Sequence, residues 1–188
     1  MANPNSKFVS TVIGATLAAT AIPYRLYEQS VQCAEAEVDL VADRFERLRG
    51  RPARSLREDF CGTAAVCCEW VRRHPDNTAI GLDIDAAVLQ WARSNNGAAL
   101  APEEQRRLAL VEADVLRAEL APVDVIVAMN FSYWIIKERA TLRRYFQRLR
   151  QQLTEDGVLF VDAYGGYDAF RVIIEERAVD TDNAGFTY

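Results

Sequence analysis

Three acidic residues and one turn of small residues carry most of the chemical information in this chain. Leu56-Arg57-Glu58-Asp59-Phe60 reads as a first strand carrying two acids, and passes through Cys61-Gly62-Thr63-Ala64 into the helical pattern Ala65-Val66-Cys67-Cys68-Glu69-Trp70-Val71. Small residues at such a turn let backbone approach a ligand closely. A second run, Ile80-Gly81-Leu82-Asp83, ends in a carboxylate about 20 residues further on, the spacing at which nucleotide-type folds place the acid that accepts from ribose hydroxyls. A third, Val111-Glu112-Ala113-Asp114-Val115, offers an acid suited to an exocyclic amine such as that of adenine. Singly, Asp83, Asp85 or Asp114 would cap the element that follows. Acids closing three successive runs, with a small-residue turn at the first, point instead to a shared nucleoside site.

The elements that must position these residues follow from periodicity. Short apolar runs at Ser55 to Phe60, Ala79 to Asp83, Leu108 to Glu112, Val123 to Met129 and Val158 to Ala163 read as strands. Helical spacing fills Ala64 to Arg73, Ala86 to Ser94 and Ala140 to Leu153, and Tyr24 to Leu48 reads as one or two helices stopped by Gly50 and Pro52. Alternating strand and helix predicts an α/β fold, a Rossmann-like, doubly wound and mostly parallel sheet with helices on both faces. The residues after the fifth strand suffice for a helix and the start of one more strand, so the sheet is expected to be short of its last strands. Residues 1–23 read as an apolar N-terminal extension and 24–188 as one domain.

The order Glu58, Cys61-Gly62-Thr63, Asp83, Asp114 resembles the nucleoside-binding signature of class I S-adenosylmethionine-dependent methyltransferases, over roughly Tyr24 to Tyr188. The resemblance implies S-adenosylmethionine as cofactor, with Glu58 and the turn from Phe60 through Cys61, Gly62 and Thr63 near its methionine portion. It implies Asp83 with Ile84 at the ribose, Asp114 with Val115 at the adenine, and Asn130 beside the methyl group. The family's usual Gly-x-Gly-x-Gly turn is here Phe60-Cys61-Gly62-Thr63-Ala64, with only the central glycine kept. Matching Cys-Gly-Thr assigns the first acid to Glu58, although Asp59 is adjacent and would point to the opposite face of a strand.

The segment Met129-Asn130-Phe131-Ser132-Tyr133-Trp134 occupies the place of the Asn/Asp-Pro-Pro-aromatic segment of amine-modifying methyltransferases, with Phe131 and Ser132 replacing both prolines. Asn130 and Tyr133 are the candidate catalytic residues, and Tyr164 and Asp162 are further candidate bases. The aromatics could equally pack beneath helices. In Asp162-Ala163-Tyr164-Gly165-Gly166-Tyr167-Asp168, two glycines and two tyrosines suit a substrate-contacting loop or an ordinary turn. Tyr24, Tyr27, Glu28 and Gln32 share a helical stretch that could fold over the cofactor. His74, the only histidine, precedes Pro75 at a helix end, a place for structure rather than catalysis.

In-line methyl transfer to a small-molecule acceptor requires positioning more than a dedicated nucleophile. The competing readings are a non-catalytic S-adenosylmethionine-binding domain and a nicotinamide-dinucleotide oxidoreductase, whose pyrophosphate would need the glycines that Phe60 and Ala64 replace. A net charge of −5 argues against nucleic acid as partner. The four cysteines match neither zinc spacing nor a disulfide framework, so no metal and a reduced, cytoplasmic setting are expected. The apolar stretch Phe8 to Ile22 is too short to span a bilayer comfortably, and an N-terminal helix is favoured over a secretory signal.

Overall fold

The computed structural model describes residues 22–174, 176, 178–179 and 186–187; all but the last residue of the apolar stretch Phe8 to Ile22 lies outside them. Helices α1 (Pro23–Val31) and α2 (Ala34–Arg49) come first. Gly50 ends α2 in the left-handed region, φ 68°, where a Cβ would be strained. The alternation then runs β1 (Ser55–Asp59), α3 (Ala65–Arg73), β2 (Thr78–Asp83), α4 (Ala86–Ala92) with a π-helical turn Arg93–Gly97, α5 (Pro102–Gln105), β3 (Leu108–Glu112) and β4 (Val123–Ala128). A 3-10 turn (Ser132–Ile135), α6 (Arg139–Gln151) and β5 (Leu153–Val161) complete it. A short turn (Tyr167–Phe170) and a separate antiparallel pair, β6 (Ala178–Val179) with β7 (Phe186–Thr187), follow.

The main sheet has five strands in the order β3-β2-β1-β4-β5, all parallel. The order reverses at β1 and β4, so the crevice outside their carboxyl ends is where a ligand belongs in such a sheet. β4 is buried along its whole length, as expected of a central parallel strand.

The structure departs most from the sequence expectation around Leu153. Helix α6 stops at Gln151 because the Gln152 N–H turns back to the Arg148 and Leu149 carbonyls. β5 then begins at Leu153, well before Val158: Leu153 pairs with Val123 while Val158 pairs with Val125, and the intervening residues form a bulge. The apolar period hides this segment because Thr154-Glu155-Asp156-Gly157 reads as a turn.

Each face of the sheet has its own core. Leu56 joins Val38, Val41 and Phe45 of α2 and Val66, Cys67 and Trp70 of α3, whereas Leu82 and Ile126 pack with Tyr145 and Leu149 of α6. Alternation along β1 therefore sends Leu56 and Glu58 one way and Arg57 and Asp59 the other.

Candidate functional site

The turn after β1 keeps an unusual backbone. Phe60, Gly62 and Ala64 all lie in the left-handed region, at φ 61°, 51° and 57°. These are the three glycine positions of the Gly-x-Gly-x-Gly turn that this segment resembles. The backbone is the one glycine favours, yet two of the three positions carry side chains, each costing roughly 1–2 kcal/mol of strain. The shape is held from outside. Cys61 donates its N–H to the Leu82 carbonyl at 2.8 Å, and its side chain, wholly buried, fits against Gly81. A Cβ at Gly81 would stand 2.9 Å from Cys61 Sγ.

Asp83 closes the other side. Its Oδ2 accepts the Gly62 N–H at 2.8 Å and its Oδ1 the Asp85 N–H at 3.0 Å. The helix-capping role falls instead to Asp85, which accepts from Ala87 and Val88. Asp83 thus couples the first turn to the second at the carboxyl edge of the sheet, where it is half-buried.

Packing separates Glu58 from Asp59. Asp59 is consumed on the α6 face, where Arg57 Nε donates to Oδ1 at 2.6 Å and the Tyr145 hydroxyl to Oδ2 at 2.7 Å. Glu58 lies on the α2 and α3 face, 6% exposed, accepting the Cys67 N–H at 3.2 Å. Burial pushes its carboxyl up to about 8, and the nearby Glu37 and Asp83 carboxylates push the same way. Glu37, on α2, is itself raised, by burial first and then by Asp162; its Oε2 is shut off from solvent with no hydrogen-bond partner.

A cavity of about 450 Å³ opens between the ends of β1, β2 and β3 and the start of α6. Phe60, Ile84, Asp114 and Val115 line it, joined by Ile135, Ile136 and Thr141. Four of the residues expected at a nucleoside site therefore meet around one largely apolar space. Asp114 holds its own turn, accepting the Leu116 N–H at 2.9 Å. The cavity does not include Glu58, Cys61, Gly62, Thr63 or Asp83, which sit along the turn beside it, nor Asn130 and Tyr133.

The aromatic segment after β4 is also strained, with Asn130 and Phe131 both at φ 56°. Asp162 fixes it: its Oδ1 accepts the Phe131 N–H at 2.9 Å, and its carbonyl accepts the Tyr133 hydroxyl at 2.9 Å. Tyr133 also packs edge-on against Phe146, so its phenol holds the segment rather than facing the crevice as a free base. Phe131 meets Trp134 and Tyr164, both with ring centroids 5.9 Å apart, in a partly exposed aromatic wall.

The N-terminal helix does reach the turn. Thr63 Oγ1 lies 3.3 Å from Gln32 Oε1, and Asn96 Nδ2, on the π-helical turn, donates to both Glu28 Oε1 and the Thr63 carbonyl. Tyr24 packs on Trp91 at 5.6 Å. His74 lies before β2, at the edge of the sheet opposite the crevice, accepting the Asp76 N–H. Burial, with Glu58 and Asp83 nearby, pushes the Cys61 thiol far up, which suits a packing role and not a nucleophile.

Sequence reasoning missed Glu37 and the Ile135 to Thr141 wall. Ile135-Ile136 was visible as an apolar pair, but Glu37 carries no local signal.

Residues 60–157, just over half the chain, match the family model described as a methyltransferase domain. The chain belongs to this methyltransferase family. Its fold is that of the class I S-adenosylmethionine-dependent enzymes. Among solved structures it is similar to CalS10, an amino pentose methyltransferase from Micromonospora echinaspora involved in calicheamicin biosynthesis, solved with S-adenosylmethionine bound. That likeness has a TM-score of 0.70 at 20% identity, covering 89% of this chain and 66% of CalS10. The sugar N-methyltransferase KedS8 from Streptoalloteichus matches with a TM-score of 0.68 at 21% identity, over 100% of this chain and 69% of its own. DesVI of Streptomyces venezuelae matches with a TM-score of 0.69 at 19% identity, over 87% and 65%. The methyltransferase chain thus spans about two thirds of these structures' lengths. No curated protein matches it in sequence. Among the described residues, no helix is long and apolar enough to cross a membrane.

Proposed function

We propose that this chain is an S-adenosylmethionine-dependent methyltransferase acting on a small molecule, by in-line transfer to an amine nitrogen carried on a sugar. The observation that carries the cofactor reading is the single cavity where Phe60, Ile84, Asp114 and Val115 meet beside the turn tied to Asp83. A largely apolar space with one carboxylate at its wall fits an adenine, and the neighbouring Asp83 fits ribose hydroxyls. The amine and the sugar rest on the aromatic segment after β4 and on the two sugar-modifying enzymes among the structural relatives.

S-adenosylmethionine, when bound, supplies a methyl group on a positively charged sulfur. The protein's share is position and dryness. Phe60, Ile84 and Val115 would enclose the base, Asp114 would accept from its exocyclic amine, and Asp83 would accept from the ribose. Gly62, with Cys61 and Thr63, lets the backbone run close to the methionine portion, and Glu58 supplies the carboxyl behind it. Asn130 would stand at the reacting edge, with Tyr133 orienting its segment through the Asp162 carbonyl. The Phe131, Trp134 and Tyr164 wall covers the acceptor, and Asp162 and Tyr164 are the groups able to take a proton from an ammonium acceptor. Residues 24–188 form the catalytic domain, and the free cysteines support a cytoplasmic location.

Calorimetric titration with S-adenosylmethionine and with nicotinamide dinucleotides tests the cofactor; heat from the dinucleotides alone would overturn the reading. S-adenosylhomocysteine formation, followed across amino sugars and their hydroxyl counterparts, tests the acceptor. Turnover restricted to the hydroxyl sugars rejects amine methylation, and binding without turnover on any acceptor rejects the enzyme.

A further inference from the structure

The segment that follows β4 keeps a backbone that one of its residues does not favour. The Ser132 N–H returns to the Met129 carbonyl at 3.3 Å and the Ser132 hydroxyl donates to the same oxygen at 2.9 Å, with Asn130 and Phe131 between them, both at φ 56°. Two left-handed central residues make this a turn of the type I′ pattern, which glycine, asparagine and aspartate favour and phenylalanine does not. Asn130 suits its place, whereas Phe131 is strained, and such strain persists only where the surroundings over-determine it. The surroundings here are the next strand. β5 runs beside β4 with Val161 opposite Ala128, so Asp162 is the first residue past the pairing. Asp162 ties the turn down twice: its carboxylate accepts the Phe131 N–H at 2.9 Å, and its carbonyl accepts the Tyr133 hydroxyl at 2.9 Å. Two residues further on, the Tyr164 ring meets Phe131 edge-on.

Resting on the methyltransferase reading above, we infer that Asp162 is a positioning residue for the methyl acceptor: its carboxylate oxygen holds the Asn130-Phe131 turn in place at the end of β4. The turn stands outside the carboxyl end of β4, beside the reversal in strand order. A shift there moves Asn130 and pulls the Phe131 ring away from Trp134 and Tyr164. In-line transfer depends on how the acceptor is placed, and a misplacement of about 1 Å is enough to cost rate. The far end of the segment, where Ile135 and Ile136 reach the cofactor cavity, is fixed separately, by Tyr133 against Phe146 of α6. The rest of that cavity's wall belongs to the ends of β1, β2 and β3 and to the start of α6, so the loss of the Asp162 oxygen falls on the acceptor side. The role needs an oxygen that accepts and not a charge. It is therefore separable from that of a base, which needs the carboxylate itself.

The test follows S-adenosylhomocysteine formation by Asp162→Asn, Asp162→Glu and Asp162→Ala on the acceptor sugar that wild type turns over fastest, with calorimetric S-adenosylmethionine affinity and thermal unfolding alongside. Asparagine keeps the accepting oxygen and removes the charge, glutamate keeps the charge and moves it by one methylene, and alanine removes both. Asp162→Asn is expected within about threefold of wild type. In Asp162→Ala and Asp162→Glu the acceptor KM is expected to rise about tenfold or more, and by more than kcat falls, while S-adenosylmethionine affinity stays within about threefold in all three variants. Activity kept by glutamate and lost by asparagine makes Asp162 a base and overturns the inference. Cofactor affinity falling in step with the acceptor KM, or Asp162→Ala kinetics equal to those of wild type, overturns it as well. The asparagine and glutamate variants carry the comparison even where Asp162→Ala does not fold. Wild type turning over no acceptor would instead bring down the methyltransferase reading, and this inference with it.

Discussion

Replacing Glu58 by glutamine probes the site through the stability of the empty protein. In the folded chain the Glu58 carboxyl is buried against α3 and titrates near pH 8, while in the unfolded chain it titrates near 4.5. The folded state therefore holds a proton that the unfolded state has released throughout that interval. Raising the pH through it favours the state with fewer protons, so folding stability falls as pH rises. The linkage is about 1.4 kcal/mol per pH unit for one proton, which over the interval from 4.5 to about 8 sets a ceiling of about 4–5 kcal/mol. Glu37, raised in the same direction, adds to the slope. Glutamine keeps an oxygen for the Cys67 N–H and stays neutral at every pH. Urea denaturation at a series of pH values, without ligand, is expected to show wild type losing a few kcal/mol between about pH 5 and pH 8.5 and Glu58→Gln losing much less. Parallel profiles for the two proteins would refute the assignment of a buried, protonated Glu58.

Asp83→Ala is expected to weaken S-adenosylmethionine binding by about 1–3 kcal/mol in calorimetry, and to lower thermal stability as well because the Gly62 and Asp85 N–H groups lose their acceptor; unchanged affinity rejects the ribose role. Gly81→Ala puts a Cβ 2.9 Å from both Cys61 Sγ and Leu110 Cδ2. It is expected to cost about 1–3 kcal/mol in denaturant unfolding, with part recovered in the Gly81→Ala, Cys61→Ala double variant. Tyr145→Phe strips one donor from the buried Asp59 and is expected to cost about 1–3 kcal/mol of stability, with cofactor affinity largely kept because Asp59 faces away from the Glu58 side. A large loss of affinity there would mean that the two faces of β1 are not independent.

The alternation of apolar runs with helical periods was legible in the chain because parallel strands and amphipathic helices repeat at different intervals. So were the small-residue turn and the position of Asp83 at a strand end, since the crevice of such a sheet lies outside the last residues of consecutive strands. Phe60 and Ala64 obscured the turn only at the level of residue type; the left-handed backbone persists beneath them. The start of β5 was hidden because a bulge breaks the period that marks a strand. Glu58 and Asp59 could not be separated by spacing alone. They are neighbours on opposite faces, and only the arrival of Tyr145 and Arg57 on one of them uses Asp59 up. Glu37 was invisible for a stronger reason: on its own helix it is one acid among several, and only packing buries its Oε2 without a donor. Local sequence sets which backbone a segment adopts, whereas the burial and company of a charged group are properties of the packed whole.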